Sequence, residues 1–177
     1  FWNDNGETMD LAAEDFGKAI ECDPNMADAY LNRGIVKCAR ATDSHNFIKT
    51  ILAGKATDEA QRVLLLAQLE HIGGHDYVPQ FDALLRGLRS NRDEAESLMA
   101  KSLVLFVHND AGEAIEDLSR AIALNPDNAE AFYQRGLAYA LMGETDKAIA
   151  DYEQTCVLDP DHRKAGEKLE ELLKSRK

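Results

Sequence analysis

Residues 129–162 read AEAFYQRGLAYALMGETDKAIADYEQTCVLDPDH, and this stretch decides the fold. It holds two helical phrases. The first, AEAFYQRGLAYALM, runs to a turn at Gly143-Glu144-Thr145. The second, DKAIADYEQTCVL, stops at Asp159-Pro160, because proline cannot donate a backbone hydrogen bond and disfavours a helical predecessor. Gly136 and Ala148 are small enough for the two helices to approach closely. Phe132, Tyr139 and Tyr152 are placed to fill the space between them and a neighbouring unit.

The same phrasing recurs along the chain. AIECDP, AIALNP and CVLDP end on Pro24, Pro126 and Pro160. The last two prolines stand 34 residues apart (160 − 126), and the first two stand 102 apart (126 − 24), three times that spacing. Gly34 in AYLNRG and Gly136 in AFYQRG are also 102 apart (136 − 34). With Phe132, Gly136, Tyr139, Gly143, Ala148, Tyr152 and Pro160 at the signature positions, the stretch resembles the tetratricopeptide repeat. That resemblance implies an all-α fold, a right-handed α-α superhelix of stacked helix-turn-helix units.

Counting in periods divides residues 1–177 into one solenoid domain. Residues 1–26 are a partial repeat, with a second helix over Gly6–Cys22 and Phe1-Trp2-Asn3 as the end of its partner. Residues 27–60 are a repeat whose second helix, SHNFIKTILAGK, is capped by Asp43 or Ser44. Residues 61–94 are a degenerate repeat containing VLLLAQL. Residues 95–128 are a repeat with its turn at His108-Asn109-Asp110. Residues 129–162 complete the series. Residues 163–177 form a capping helix, apolar along Ala165, Leu169, Leu172 and Leu173 and Lys/Glu-rich outside.

Composition bounds the function. The net charge of −12 argues against nucleic acid, whose binding needs a cationic footprint. No apolar run approaches the length of a membrane span. Cys22, Cys38 and Cys156 are odd in number and widely spaced, so they read as buried or half-buried thiols, in keeping with a reducing, cytoplasmic setting. His71, His75 and Asp76 do not share a helical face and read as turn and surface residues, so no metal and no cofactor is expected. No nucleophile–base pair, phosphate loop or paired-carboxylate arrangement stands out, so no enzyme is expected.

In the family resembled, first helices line the concave face. Carried onto this chain, the groove positions are Leu31, Asn32, Ile35 and Cys38, then Leu65, Leu69 and Ile72. Met99, Leu103, Phe106 and Val107 follow, and then Tyr133, Gln134, Leu137, Ala140 and Leu141. The groove is mostly apolar, which implies a non-catalytic scaffold or adaptor that binds a peptide or helix of a partner protein. Asn32 fits the family's carboxylate clamp, but Leu66, Ala100 and Gln134 are not cationic, which argues against that mode. Arg86, Arg89 and Arg92 recur every three residues and form a stripe for an acidic partner or a solvated face. The alternatives are self-assembly into a homo-oligomer through the Phe1/Trp2 end, or a recruiting segment of a larger enzyme.

Overall fold

The computed structural model describes residues 3–52 and 92–176, with side chains over 8–46 and 107–176. These residues form helices joined by short turns, and no strand occurs among them. In chain order the helices are α1 (Asn3–Cys22), α2 (Ala27–Leu52), α3 (Arg92–Leu124), α4 (Ala129–Leu141), α5 (Thr145–Leu158) and α6 (Arg163–Ser175). They stack in sequence, α1 on α2, α2 along α3, α4 against both α2 and α3, α5 on α4 and α6 on α5. This is the all-α solenoid that the repeat implies.

The prolines mark one turn used three times. The residue before each proline is Asp23, Asn125 or Asp159, and its carbonyl accepts from the backbone N–H of Met26, Asn128 or His162 at 3.1, 3.3 and 3.1 Å. Asp23 and Asp159 also accept through their carboxylates from the N–H two residues on, an Asx-turn that fixes the chain before the next helix. Asn128 then caps α4, its side chain accepting from the Ala131 N–H at 3.2 Å. His162 does the same for α6 through Nδ1, from Ala165 at 3.1 Å. Between α4 and α5 the chain reverses at Gly143, whose φ of +75° is open to glycine at little cost.

Three expected boundaries are not formed. Asp43 and Ser44 cap nothing, because α2 runs through them to Leu52. Thr42 Oγ1 donates to the Cys38 carbonyl at 2.8 Å, which accommodates a hydroxyl inside a helix. Ser44 is 1% exposed and packs inward. The turn at His108-Asn109-Asp110 is likewise absent, since α3 is unbroken over 33 residues. Asn3 belongs to α1 and not to a preceding helix. At Ser44 and Asp110, both buried, packing against a neighbouring helix outweighs the local preference of Ser and Asp for turns.

Pairing explains the long helices. In the 129–162 unit, Arg135 grips Asp151 sixteen residues on, Nε and Nη2 each donating at 2.8 Å. The adjacent Gly136 lies so close to Tyr152 that a Cβ there would meet its ring at 2.7 Å. Arg33 makes the same bidentate contact with Asp117, at 2.9 and 2.7 Å, but across 84 residues. A Cβ on Gly34 would meet Leu118 Cγ at 2.7 Å. The difference, 84 − 16, is 68, two whole periods. The first helix begun at Ala27 therefore pairs with the second helix that ends at Leu124. The described helices do not form separate 27–60 and 95–128 repeats. Most of the expected 61–94 repeat lies outside the described residues, as do Phe1 and Trp2.

Further ion pairs run along the α2–α3 seam. Lys37 Nζ reaches Asp117 at 2.9 Å and Glu113 at 3.0 Å. Arg40 donates bidentately to Asp110 at 2.9 and 2.6 Å and to Asp10 of α1 at 2.6 Å. Asp110 is 2% exposed. Burial pushes its carboxyl above the usual carboxylate range, and the Arg40 guanidinium pulls it back.

The apolar core forms two clusters. Cys38, Ala41, Ala111, Ala114, Leu118 and Ala138 seal the junction of α2, α3 and α4. Tyr133, Ala148, Tyr152 and Ala165 seal α4, α5 and α6. Alanine dominates the first cluster because helices this close leave little room for larger side chains, whereas two tyrosines fill most of the second.

Candidate partner-binding face

The two first helices α2 and α4 lie side by side. Cys38 Sγ donates to the Gln134 carbonyl at 3.7 Å across this seam. Leu31 of α2 and Leu137 and Leu141 of α4 pack on the same cluster from above and remain half-buried. Ile35 is also half-buried. Residues about a hundred positions apart in the chain thus form one apolar row. Asn32 and Gln134, at equivalent repeat positions, edge it. The Asn32 amide donates to the Asp28 carbonyl at 2.8 Å, and the Gln134 amide to Glu130 at 2.7 Å. An amide has a second N–H and a carbonyl beyond each of these bonds, which suits it to hydrogen-bonding a backbone.

Other expected groove residues sit elsewhere. Tyr133 is 8% exposed, with its ring centre 6.0 Å from that of Tyr152 and 4.6 Å from that of His162. It belongs to the core under α6, because the capping helix closes over it. Cys38 is 1% exposed and Val107 2%, so both are core as well. Burial drives the Cys38 thiol up to about 12, which keeps it protonated and unreactive at neutral pH. Cys22, expected to be at least half-buried, is exposed at the end of α1.

Met99, Leu103 and Phe106 were expected on a separate first helix, but their backbone continues into α3 and that row is built by α2 and α4. Arg92 is the first residue of α3. Leu65, Leu69, Ile72, Arg86 and Arg89 lie outside the described residues, as do His71, His75 and Asp76. Among the described residues no His, Cys, Asp or Glu cluster is arranged to hold a metal ion. No described helix is long and apolar enough to cross a membrane.

Sequence reasoning missed the Arg–Asp pairs, although their signal was present. The Arg-Gly doublet stands at the same repeat position in AYLNRG and AFYQRG, and Asp117 and Asp151 stand 34 apart (151 − 117). These pairs turn the cations of α2 and α4 away from the Leu31, Leu137 and Leu141 row. Arg33, Lys37, Arg40 and Arg135 all face second helices. Asp28 in the first turn of α2 is exposed, and Glu130 in the first turn of α4 is half-buried.

Comparison with known proteins agrees with the repeat. A family model described as TPR repeat matches residues 104–143, and one described as tetratricopeptide repeat matches 129–162. No curated protein sequence is a significant match. Among solved structures, the chain is similar to the MamA protein at 24% identity and a TM-score of 0.38, covering 99% of this chain and 80% of that one. It is similar to YrrB, described as a TPR protein with an unusual peptide-binding site, at 24% identity and a TM-score of 0.33, covering 92% and 84%. It is also similar to the P58(IPK) TPR domain at 18% identity and a TM-score of 0.36, covering 94% and 60%.

Proposed function

Because this chain carries tetratricopeptide repeats, units that serve in general as non-catalytic interaction modules, we propose that it is a scaffold holding a partner's peptide or helix against the α2–α4 groove. The observation that supports this reading is the half-buried row of Leu31, Leu137 and Leu141, set on a sealed core, with half-buried Ile35 one turn on from Leu31. Burial of apolar side chains on this row supplies the affinity, and a preorganised helical surface keeps the entropic cost low. Asn32 and Gln134 set the register by hydrogen-bonding the partner's backbone. Asp28 and Glu130 favour a segment with cationic flanks.

The test places a photo-crosslinking benzoylphenylalanine at Ile35 and, as a control, at the exposed Glu153 of α5. A partner peptide captured from Ile35 but not from Glu153, and bound roughly tenfold more weakly by Asn32→Ala/Gln134→Ala at unchanged melting temperature, is the expected result. Equal capture at both positions sinks the groove reading.

A further inference from the structure

Helix α6 begins unlike α2, α4 and α5. Those three carry an acid in the first turn, Asp28, Glu130 and Asp146. α6 carries none there, and it opens with Arg163 and Lys164. Cations at a helix N-terminus meet the positive end of the helix dipole, so this start is poorly matched to its own charges. It therefore depends on its cap.

That cap is a histidine. His162 stands 34 residues after Asn128 (162 − 128), the cap of α4, and plays the same part. The Ala131 N–H is shared between the Asn128 carbonyl and side chain, at 3.2 Å each. The Ala165 N–H is shared between the His162 carbonyl at 3.0 Å and Nδ1 at 3.1 Å. An amide oxygen accepts at any pH. An imidazole nitrogen accepts only while unprotonated, so the capped form is the neutral ring with its proton on Nε2.

The ring is held on its other sides too. Nε2 lies 3.4 Å from Glu130 Oε2, and the side chain is 14% exposed. Its ring centre is 4.6 Å from that of Tyr133, with Tyr152 of α5 beyond, 6.0 Å from Tyr133. Burial, then Glu130, pushes the Tyr133 hydroxyl above its ordinary range and Lys168 of α6 pulls it back, so Tyr133 stays neutral where histidines titrate. In the turn, the Asp159 carbonyl accepts the His162 N–H, and its carboxylate accepts the Asp161 N–H. Arg163 reaches Glu167 along α6 at 3.4 Å.

Charging the ring acts in two directions. It draws the ring toward Glu130 and the turn acids, but it destroys the cap and adds a third cation beside Arg163 and Lys164. The gain from Glu130 is small, because that side chain is 45% exposed and screened by solvent. Its contact is to Nε2, which bears a proton in both forms. The cap bond lies under a mostly buried ring, so its loss sets the sign.

We propose that His162 is an acid-released latch on the capping helix, fastening α6 over Tyr133 and Ala165 when neutral and letting it go when protonated. The capped state excludes a proton that the released state takes up. The latch is therefore closed above the histidine range and loosens as pH falls through it. Since α6 seals the cluster of Tyr133, Ala148, Tyr152 and Ala165, release opens that end of the core and leaves the α2–α3 seam intact. This device is independent of what the α2–α4 groove binds.

The test uses the whole chain, isotopically labelled for nuclear magnetic resonance. Ring nitrogen shifts at neutral pH should show His162 protonated on Nε2. A proton on Nδ1 overturns the proposal without any variant. Amide exchange, expressed as protection factors to remove the intrinsic effect of pH, is then compared at about pH 7.5 and about pH 5.5. Protection at Leu169 and Leu172 of α6 should fall about three- to tenfold, ten being the ceiling one unit below an ordinary imidazole value of ~6.5. Leu137 and Leu141 of α4, whose cap does not titrate, should keep theirs. His162→Asn, which gives α6 the kind of cap α4 has, should abolish the fall. No fall in the wild type, an equal fall in α4, or an equal fall in His162→Asn overturns the proposal.

Discussion

The pairing of Gly34 with Leu118 admits a sharp test. Replacing Gly34 by alanine places a methyl 2.7 Å from Leu118 Cγ, 3.0 Å from Cδ2 and 3.4 Å from the Ala114 carbonyl oxygen. Leu118 is fully buried, so it has no solvent-side rotamer to escape into. Overpacking of this kind costs about 1–3 kcal/mol, whereas alanine's better helix propensity returns about 1 kcal/mol. The net expectation for Gly34→Ala is a loss of roughly 0–2 kcal/mol. Leu118→Ala alone leaves a cavity and costs about 2–5 kcal/mol. Combined, the two changes relieve each other, because the added methyl enters the space that Leu118 vacates. The double variant should therefore be at least about 1 kcal/mol more stable than the sum of the singles predicts, well beyond the ~0.5 kcal/mol scatter of independent sites. Urea unfolding followed at 222 nm measures all four corners of the cycle. Additivity within that scatter refutes the pairing. It would return Gly34 to a partner within residues 44–55, as a 27–60 repeat requires.

Two further predictions bear on α3. At Gly112 an added Cβ would meet nothing within 4 Å, and the residue lies inside the unbroken helix, so Gly112→Ala should raise stability by up to about 1 kcal/mol. A loss in the urea midpoint would instead restore a turn near 108–110. Asp110 carries a carboxyl raised by burial above its ordinary value of 3.8. Between that value and the raised one, the folded chain holds a proton that the unfolded chain has released. This group's contribution therefore grows as pH falls through the window and fades as pH rises through the folded value. Comparing wild type with Asp110→Asn from pH 4 to 7, the difference should move in favour of the wild type as pH falls. The opposite slope would show that the Arg40 pair outweighs burial.

The parts of the fold that local chemistry controls were legible. The Asp/Asn-Pro turns, the close approach at Gly136 and the apolar stripe of the capping helix depend on residues near one another in the chain. The positions of Tyr133 and Cys38 were not legible, because a single helix face does not reveal which neighbour will cover it. Tyr133 becomes core only when α6 packs over it. Cys38 becomes core only when α3 and α4 close around it.

The division held at 129–162 but failed to pair 27–60 and 95–128 correctly, for a more specific reason. A period fixes where equivalent residues fall, not which helix each one meets. Since the extra length between Arg33 and Asp117 is two periods, every signature position downstream stays in phase whether the extra residues build two units or separate the halves of one. Pairing chemistry carries the missing information, and it was only partly decisive. Sixteen residues after Arg33 stands Lys49, which cannot serve as the acid, so the doublet lacks a local partner. Sixteen residues before Asp117, however, stands Lys101 followed by Ser102, a cation and a small residue that imitate Arg-Gly. What excludes Lys101 is helix geometry. It and Asp117 lie on the same unbroken α3, about 24 Å apart at 1.5 Å per residue, so they cannot meet. Asp117 is left to Arg33 and Lys37, and the first helix of this unit waits 84 residues for its partner.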